Sequence, residues 1–222
     1  VTIYYTLDGS KPDPANFVTA GKYNIKQDYS GSEFSEREKR TYQYTEPLLI
    51  NTQTLDTNSL SYIRTTHSAV PTERQWKEPS LENGKAAVVR AIAYRNGVSS
   101  PCITQTYFIG SEWQNLSMPV VSITMDPADL FDYENGFYIP GKMFDNSAGY
   151  SGGWNTWPAN YETDWEKPAY IEFYESNGNL GFAQNIGVRM HGEWTRAYPY
   201  KSLRLYAKSD YDTKTIFAYD VF

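Results

Sequence analysis

The sequence predicts a mainly β protein, in which a β-sandwich is followed by a second β-rich unit with an antiparallel sheet and one short helix. Short runs of β-branched and aromatic residues recur along the 222-residue chain, and turn-forming residues separate them. Aromatic residues make up 16% of the chain and include 20 Tyr, a residue that favours strands with one partly wet face. Several short strands separated by turns are typical of a sandwich.

The first unit contains four predicted strands, at residues 2–7, 48–50, 87–94 and 103–109. A turn at residues 8–12 closes the first strand, because Asp8 can cap local N–H groups and Gly9 can adopt an unusual φ. Asn96-Gly97 predicts a tight hairpin, since a type I′ turn needs positive φ at both central positions. Two long polar stretches, residues 13–45 and 56–85, interrupt this pattern, and the sequence leaves open whether they are ordered.

Residues 110–117 predict a linker, after which a strand at residues 118–124 opens the second unit. A short helix is expected at residues 126–131, with Asp126 as N-cap, Pro127 at the first position and Gly136 as terminator. Further strands are predicted at residues 137–139, 169–174, 181–190 and 202–207. A turn at residues 176–179 joins two of them, and the order of the aromatic-rich loop 143–165 is left open.

Composition excludes several classes of protein. The formal net charge of −6 argues against a nucleic-acid binder, which needs a basic face to neutralise phosphates. Cys102 is the only cysteine, so no disulfide can form within the chain. The sequence contains no run of about 20 apolar residues, so no membrane span is expected in it. His67 and His191 lack a second ligand at helical spacing, so no metal site is expected. Both ends are typical of a cut chain, and we expect a fragment of a longer protein.

The first 110 residues resemble a known accessory module. Residues 3–12 read IYYTLDGSKP, and the stretches 44–48 (YTEPL), 89–93 (VRAIA) and 99–101 (SSP) follow in order. This set is similar to the chitobiase/β-hexosaminidase C-terminal domain family. The resemblance implies an immunoglobulin-like, non-catalytic domain of secreted polysaccharide-processing and surface proteins over residues 1–110.

Residues 118–222 resemble the N-terminal portion of the CotH (spore-coat) kinase family. The resemblance rests on MPVVSI at 118–123, on WEKPA at 165–169 and above all on GVRMHGEWTR at 187–196, followed by residues 199–204 (PYKSLR). The chain departs from the family pattern at Trp194, where a small polar residue is common. The resemblance implies that the acidic residues for Mg²⁺ lie after residue 222, and we therefore predict no catalytic residue in this chain.

A basic cluster within that stretch is a candidate phosphate site. Arg189, Arg196 and Lys201 are the predicted contacts, because guanidinium and ammonium groups both bind phosphate oxygens. Arg204 lies three residues from Lys201 on a strand and so faces the opposite side. The alternative is that these cations pair with nearby carboxylates, for which the candidates are Glu172, Glu175 and Glu193.

The aromatic loop supplies a second candidate site, because aromatic faces can stack on sugar rings. Its members are Trp154, Trp157, Tyr161 and Trp165. The competing interpretation is that these rings pack inside the protein.

We therefore expect a non-catalytic fragment of a secreted or cell-surface bacterial protein, located outside the cell or in its envelope. One alternative is a carbohydrate-binding module of a polysaccharide-processing protein. Another is the nucleotide-binding half of a CotH-type protein kinase. Expected partners are cell-surface polysaccharide or other domains of the same chain, with no nucleic acid. No cofactor is expected for this fragment, whereas the resemblance implies ATP and Mg²⁺ for a longer protein.

Overall fold

The computed structural model describes residues 1–51, 60–79, 85–113 and 117–220, and within them the protein is mainly β, as predicted. Three short α-helices accompany the strands: α1 (Ala15–Val18), α2 (Pro127–Phe131) and α3 (Gly141–Asp145). The strands are β1 (Thr2–Thr6), β2 (Gly21–Ile25), β3 (Ser35–Lys39), β4 (Tyr42–Gln43), β5 (Lys85–Arg95), β6 (Val98–Ser99), β7 (Ile103–Ile109), β8 (Val120–Met125), β9 (Lys167–Tyr174), β10 (Leu180–His191) and β11 (Ser202–Tyr206). All pairings between them are antiparallel.

The first sheet has the order β4-β1-β5-β6, and β7 also pairs with β5. Its hairpin turn is the predicted one, since Asn96 and Gly97 have φ of 50° and 83°. The predicted turn after β1 is also present, because Asp8 accepts hydrogen bonds from the backbone and side chain of Ser10. Gly9 has φ of 87°, and a Cβ there would lie 2.6 Å from the Met125 carbonyl oxygen. The turn therefore also needs glycine because β8 approaches it closely.

Two predicted strands are wrong, and the predicted helix terminator, Gly136, lies beyond the end of its helix. Residues 48–50 form no strand, and Leu49 is exposed. Residues 137–139 form a buried turn, because the N–H groups of Phe137 and Tyr138 donate back to carbonyls of the preceding helical segment. Helix α2 ends at Phe131, and Gly136 lies in the turn beyond it, where a Cβ would meet the Asp132 backbone.

The second sheet has the order β11-β10-β9-β8. The Asp126 side chain accepts a hydrogen bond from the Ala128 N–H at 2.9 Å, so the predicted N-cap of α2 is confirmed. The predicted turn at residues 176–179 joins β9 to β10. One face of this sheet carries the larger core, whose fully buried members include Phe137, Ile186 and Val188.

The described parts of the two long polar stretches of the first unit pack against the second unit. Residues 13–45 contain α1 and the β2–β3 hairpin, while residues 60–79 form a segment with two 3₁₀ turns, which we call the strap. Tyr23 and Ile25 of the hairpin and Ile63 of the strap share a core with Phe131 and Ile139. Residues 56–59 and 80–84 of the second stretch and residues 114–116 of the predicted linker 110–117 lie outside the described residues.

A buried carboxylate also joins the two sheets. Glu172 on β9 accepts hydrogen bonds from the Thr106 N–H at 3.2 Å and the Thr106 hydroxyl at 2.5 Å, and from the Tyr174 hydroxyl at 2.7 Å. Because a buried polar group is costly unless it is hydrogen-bonded, these contacts fix β7 against β9. The division into domains 1–110 and 118–222 stays a prediction, and the two proposed units share their packing.

Candidate functional site

The β10–β11 loop carries the predicted basic cluster. Residues 192–201 connect the two strands and contain a 3₁₀ turn, Trp194–Ala197. Ala197 is fully buried in the larger core, so the turn is anchored from inside the protein. The cations predicted as phosphate contacts lie in or beside this loop.

Lys201 points into the protein. It is 8% exposed, and its ammonium donates hydrogen bonds to the carbonyl oxygens of Arg196 and Tyr198, each at 2.6 Å. Its nitrogen also lies 4.3 Å from the centre of the Tyr161 ring. Burial lowers the pKa of Lys201 well below its ordinary value, and the nearby carboxylate of Glu162 opposes that shift. Lys201 therefore stabilises the conformation of the loop by binding two of the loop's carbonyl groups.

Arg196 has a similar structural role. Its Nε donates to the Gly192 carbonyl at 2.7 Å and its Nη1 to the Glu162 carbonyl at 3.0 Å. The Nη2 atom of Arg196 lies 3.5 Å from a carboxylate oxygen of Asp164, and the Nη2 atom of Arg189 lies 3.8 Å from the same oxygen. The two arginines thus converge on one exposed carboxylate through long contacts.

Two of the three carboxylates proposed as ion partners from the sequence have other contacts, and the third, Glu193, is exposed. Glu172 binds Thr106 and Tyr174, and Glu175 accepts a hydrogen bond from the hydroxyl of Tyr219. The side chain that pairs with Arg189 and Arg196 is instead Asp164, from the aromatic loop. Arg204 is exposed and donates to Nδ1 of His191 at 2.9 Å, so it lies apart from the buried Lys201.

The four aromatic residues proposed as sugar contacts do not form one surface. Tyr161 is 0% exposed and lies in the larger core. The indole of Trp157 packs against Phe144 and donates to the Ser147 hydroxyl at 2.6 Å. Trp165 is partly buried against the larger core. All four rings therefore have packing partners inside the protein, since Trp154 is also partly buried against the larger core.

Trp154 has further partners on its outer side. Its ring is half-buried and lies nearly parallel to that of Tyr198, with centroids 5.9 Å apart and planes at 16°. The guanidinium of Arg74, from the strap, is 5.4 Å from the Trp154 centroid and 5.6 Å from that of Tyr198. Arg74 and Tyr198 were not among the predicted site residues, since only the fold brings the strap to this loop.

The strap also buries a histidine. His67 is 1% exposed, stacks on Phe144 with centroids 4.5 Å apart, and lies nearly parallel to Tyr161 at 6.3 Å. Its Nδ1 accepts a hydrogen bond from the Ala69 N–H at 3.2 Å, which leaves the proton on the other nitrogen of the neutral ring. Burial lowers the pKa of His67 to about 4. The sequence predicts no metal-binding role for His67 and gives no signal that its side chain is buried.

The described part of the chain contains no cluster of potential metal ligands. No group of three His, Cys, Asp or Glu side chains there could hold a metal ion. Burial raises the pKa of Glu162, while the adjacent cations of Arg196 and Lys201 oppose that shift. No helix of the described ranges is long and apolar enough to cross a membrane.

Comparison with known proteins supports the first unit alone. No curated protein matches the chain, and no solved structure matches it. A family model described as Fn3 associated matches residues 1–107. That range ends within β7 and includes all of the first sheet except the last two residues of that strand. Residues 1–107 are therefore similar to the Fn3 associated family, in agreement with a fibronectin-III-like or immunoglobulin-like N-terminal unit.

Proposed function

We propose that the chain is a non-catalytic accessory part of a secreted or cell-envelope bacterial protein, in which the N-terminal unit is held in one orientation on the second. The family match over residues 1–107 supports the accessory role. The observation that carries the fixed orientation is the shared core, in which Tyr23, Ile25 and Ile63 pack with Phe131 and Ile139. Each such apolar side chain contributes about 1.5–3 kcal/mol on burial, so separating the units is costly.

Hydrogen exchange of the Ile25→Ala variant tests this coupling. Ile25 is fully buried, and its truncation should cost about 2–5 kcal/mol. Exchange should accelerate both in the β2–β3 hairpin and around Phe131 and Ile139. Ile103→Ala is the matched control, because Ile103 is exposed on the first sheet. Faster exchange confined to residues 21–39 would show that the units are independent.

An assay with ATP and Mg²⁺ tests the non-catalytic part of the proposal. We expect no ADP above the buffer background, because Lys201 and Arg196, two of the predicted phosphate contacts, already donate to carbonyl groups of the protein. Turnover that disappears in a Lys201→Met variant of unchanged fold would refute the proposal.

The CotH-type kinase alternative belongs to a longer protein. Its support is the convergence of Arg189 and Arg196 on Asp164, since long contacts to one exposed carboxylate could be exchanged for contacts to phosphate oxygens. Arg189→Gln in such a longer protein should weaken ATP binding while leaving the loop contacts of Lys201 intact, and equal affinity would exclude this alternative.

A second candidate function is carbohydrate binding. The observation that favours it is the near-parallel pair of Trp154 and Tyr198, half-buried at the surface with Arg74 beside both rings. Because aromatic faces combine apolar area with a polar edge, such a pair suits a sugar ring, which has apolar faces and hydroxyl edges. Quenching of tryptophan fluorescence by oligosaccharides, lost in Trp154→Ala, is the direct test.

A further inference from the structure

One face of the first sheet carries a continuous row of uncharged side chains. The register pairs Tyr5 of β1 with Tyr42 of β4 and with Ala91 of β5, and it pairs Ala91 with Ile103 of β7. Because side chains at directly opposed positions share one face, these four residues lie in one line across the sheet. Partial burial, Tyr42 and the nearby Glu46 raise the pKa of Tyr5, so its hydroxyl adds no charge at neutral pH.

This face points away from the second unit. Thr106 alternates to the other face of β7 from Ile103, and it is Thr106 that binds Glu172 of the second sheet. On the outward face, Ile103 is 72% exposed and Tyr42 is 42% exposed. A sheet that packs on protein with one face normally carries polar side chains on the other. An exposed row of Ile and Tyr side chains therefore indicates an interaction surface.

The outward face has a definite relief, because its two middle strands carry side chains of different size. Tyr5 on β1 lies opposite Ala91 on β5, and Ile3 on β1 lies opposite the exposed Ala93 on β5. Strand β1 is therefore a ridge and strand β5 a groove beside it. The Tyr5 ring stacks on the Tyr42 ring, with centroids 5.4 Å apart and planes at 27°. A partner would thus meet rings that are already held in place, at a low entropic cost.

A second copy of the chain has the relief that fits this face. Strands β1 and β5 are neighbours at its centre, with β4 beyond β1 and β7 beyond β5. A two-fold axis that runs between β1 and β5, parallel to the strands, places the ridge of each copy over the groove of the other. Large side chains then face small ones in both directions, as an isologous contact requires. Each copy has a net charge of −6, but the uncharged row brings no like charges together.

The size of the face predicts a weak dimer. At the usual strand spacing of about 4.8 Å and rise of about 3.3 Å per residue, four strands of about six residues cover roughly 400 Å² in projection. Two copies would therefore bury on the order of 800 Å², at the low end of specific interfaces and in the range of transient complexes. We expect association that depends on protein concentration.

We propose that the outward face of the first sheet, formed by the row Tyr42, Tyr5, Ala91 and Ile103 with Ile3 and Ala93, is a dimerisation surface that binds the same face of a second copy of the chain. Because the second unit contacts the opposite face of the first sheet, the dimer carries its two second units on its outer sides. The surface is independent of the phosphate and carbohydrate alternatives, since it contains none of their residues.

Sedimentation velocity of the chain between about 10 µM and about 1 mM tests the proposal. The weight-average molar mass should rise from that of the monomer toward that of the dimer. Ile103→Lys and Ala93→Lys should each weaken dimerisation at least about tenfold, because a two-fold contact would then bury two unpaired cations. Both positions are exposed, so the variants should fold, which circular dichroism can verify.

Val18→Lys is the matched control, because Val18 is 85% exposed on α1 and the substitution makes the same change in net charge. Its dimerisation should equal that of the wild type. A wild-type chain that stays monomeric at about 1 mM would overturn the proposal. Dimerisation that persists unchanged in Ile103→Lys and Ala93→Lys would also overturn it, since another surface would then form the contact. Equal loss in all three variants would attribute association to net charge and would overturn it too.

Discussion

Acidification should destabilise the protein through the buried ring of His67. This side chain lies between Phe144 and Tyr161, and burial holds its pKa at about 4 in place of the ordinary 6.5. The folded protein therefore binds this proton more weakly than the unfolded chain does. As the pH falls below 6.5, the unfolded chain is protonated first, and stability is lost until the pH reaches about 4. Above pH 6.5 this histidine has no effect on the pH dependence.

The size of the effect follows from the two pKa values. Each pKa unit corresponds to about 1.4 kcal/mol, so His67 accounts for about 3 kcal/mol between pH 7 and pH 4. That loss is a large share of the total for an ordinary domain, which is stable by about 5–15 kcal/mol. Carboxylates titrate in part of the same range, so the contribution of the histidine has to be isolated by a variant.

His67→Phe provides that comparison, because a phenyl ring keeps the stacking on Phe144 but cannot bind a proton. Urea unfolding of both proteins, followed by tryptophan fluorescence at pH 7, 6, 5 and 4.5, gives two stability profiles. Their difference should change by more than about 2 kcal/mol between pH 7 and pH 4.5, with the wild type losing more. Profiles that stay parallel to within about 0.5 kcal/mol would refute the buried neutral histidine.

Three further predictions concern contacts between the two units. Lys26→Met should destabilise the fold by about 1–3 kcal/mol in urea unfolding, because it leaves the partly buried carboxylate of Asp145, 2.5 Å away, without its cation. The exposed ion pair of Lys22 should contribute less than about 1 kcal/mol in the same assay, and equal losses would contradict this reasoning. Gly9→Ala should lower the melting temperature more than Gly97→Ala, since both have positive φ but only Gly9 faces a carbonyl oxygen within 3 Å. Glu172→Gln should cost about 1–3 kcal/mol, because an amide cannot accept all the hydrogen bonds the carboxylate receives, and an unchanged urea midpoint would refute that role.

Local signals in the sequence predicted local structure well. Asn96-Gly97, the Asp126 cap and the turn at residues 176–179 each depend on residues no more than three positions apart, so a short stretch of sequence is enough to predict them. The strand predicted at residues 137–139 was wrong because it, too, rested on a local pattern. Phe137 and Ile139 alternate as in a strand, but their burial comes from packing after α2, where the backbone bonds return to the helix.

The candidate sites were harder to predict because their chemistry depends on distant partners. The sequence located Lys201, but only the fold shows that its ammonium binds carbonyl groups of its own loop. Likewise it identified Trp154, while Arg74 reaches that ring from the strap, 80 positions earlier in the chain. Spacing could not separate the buried Tyr161 from the exposed Tyr200, since both lie in polar, turn-rich stretches.

The shared core also sets the order of events during synthesis. The Asn24 N–H donates to the side chain of Asp132, 108 positions later, beside the apolar cluster that Ile25 forms with Phe131. At about 5–20 residues per second, the ribosome needs roughly 5–20 seconds to make the intervening chain. During that time the β2–β3 hairpin must leave the exit tunnel with its apolar face uncovered. Nascent chains stalled before residue 131 should therefore bind chaperones more than those stalled after residue 139 has emerged.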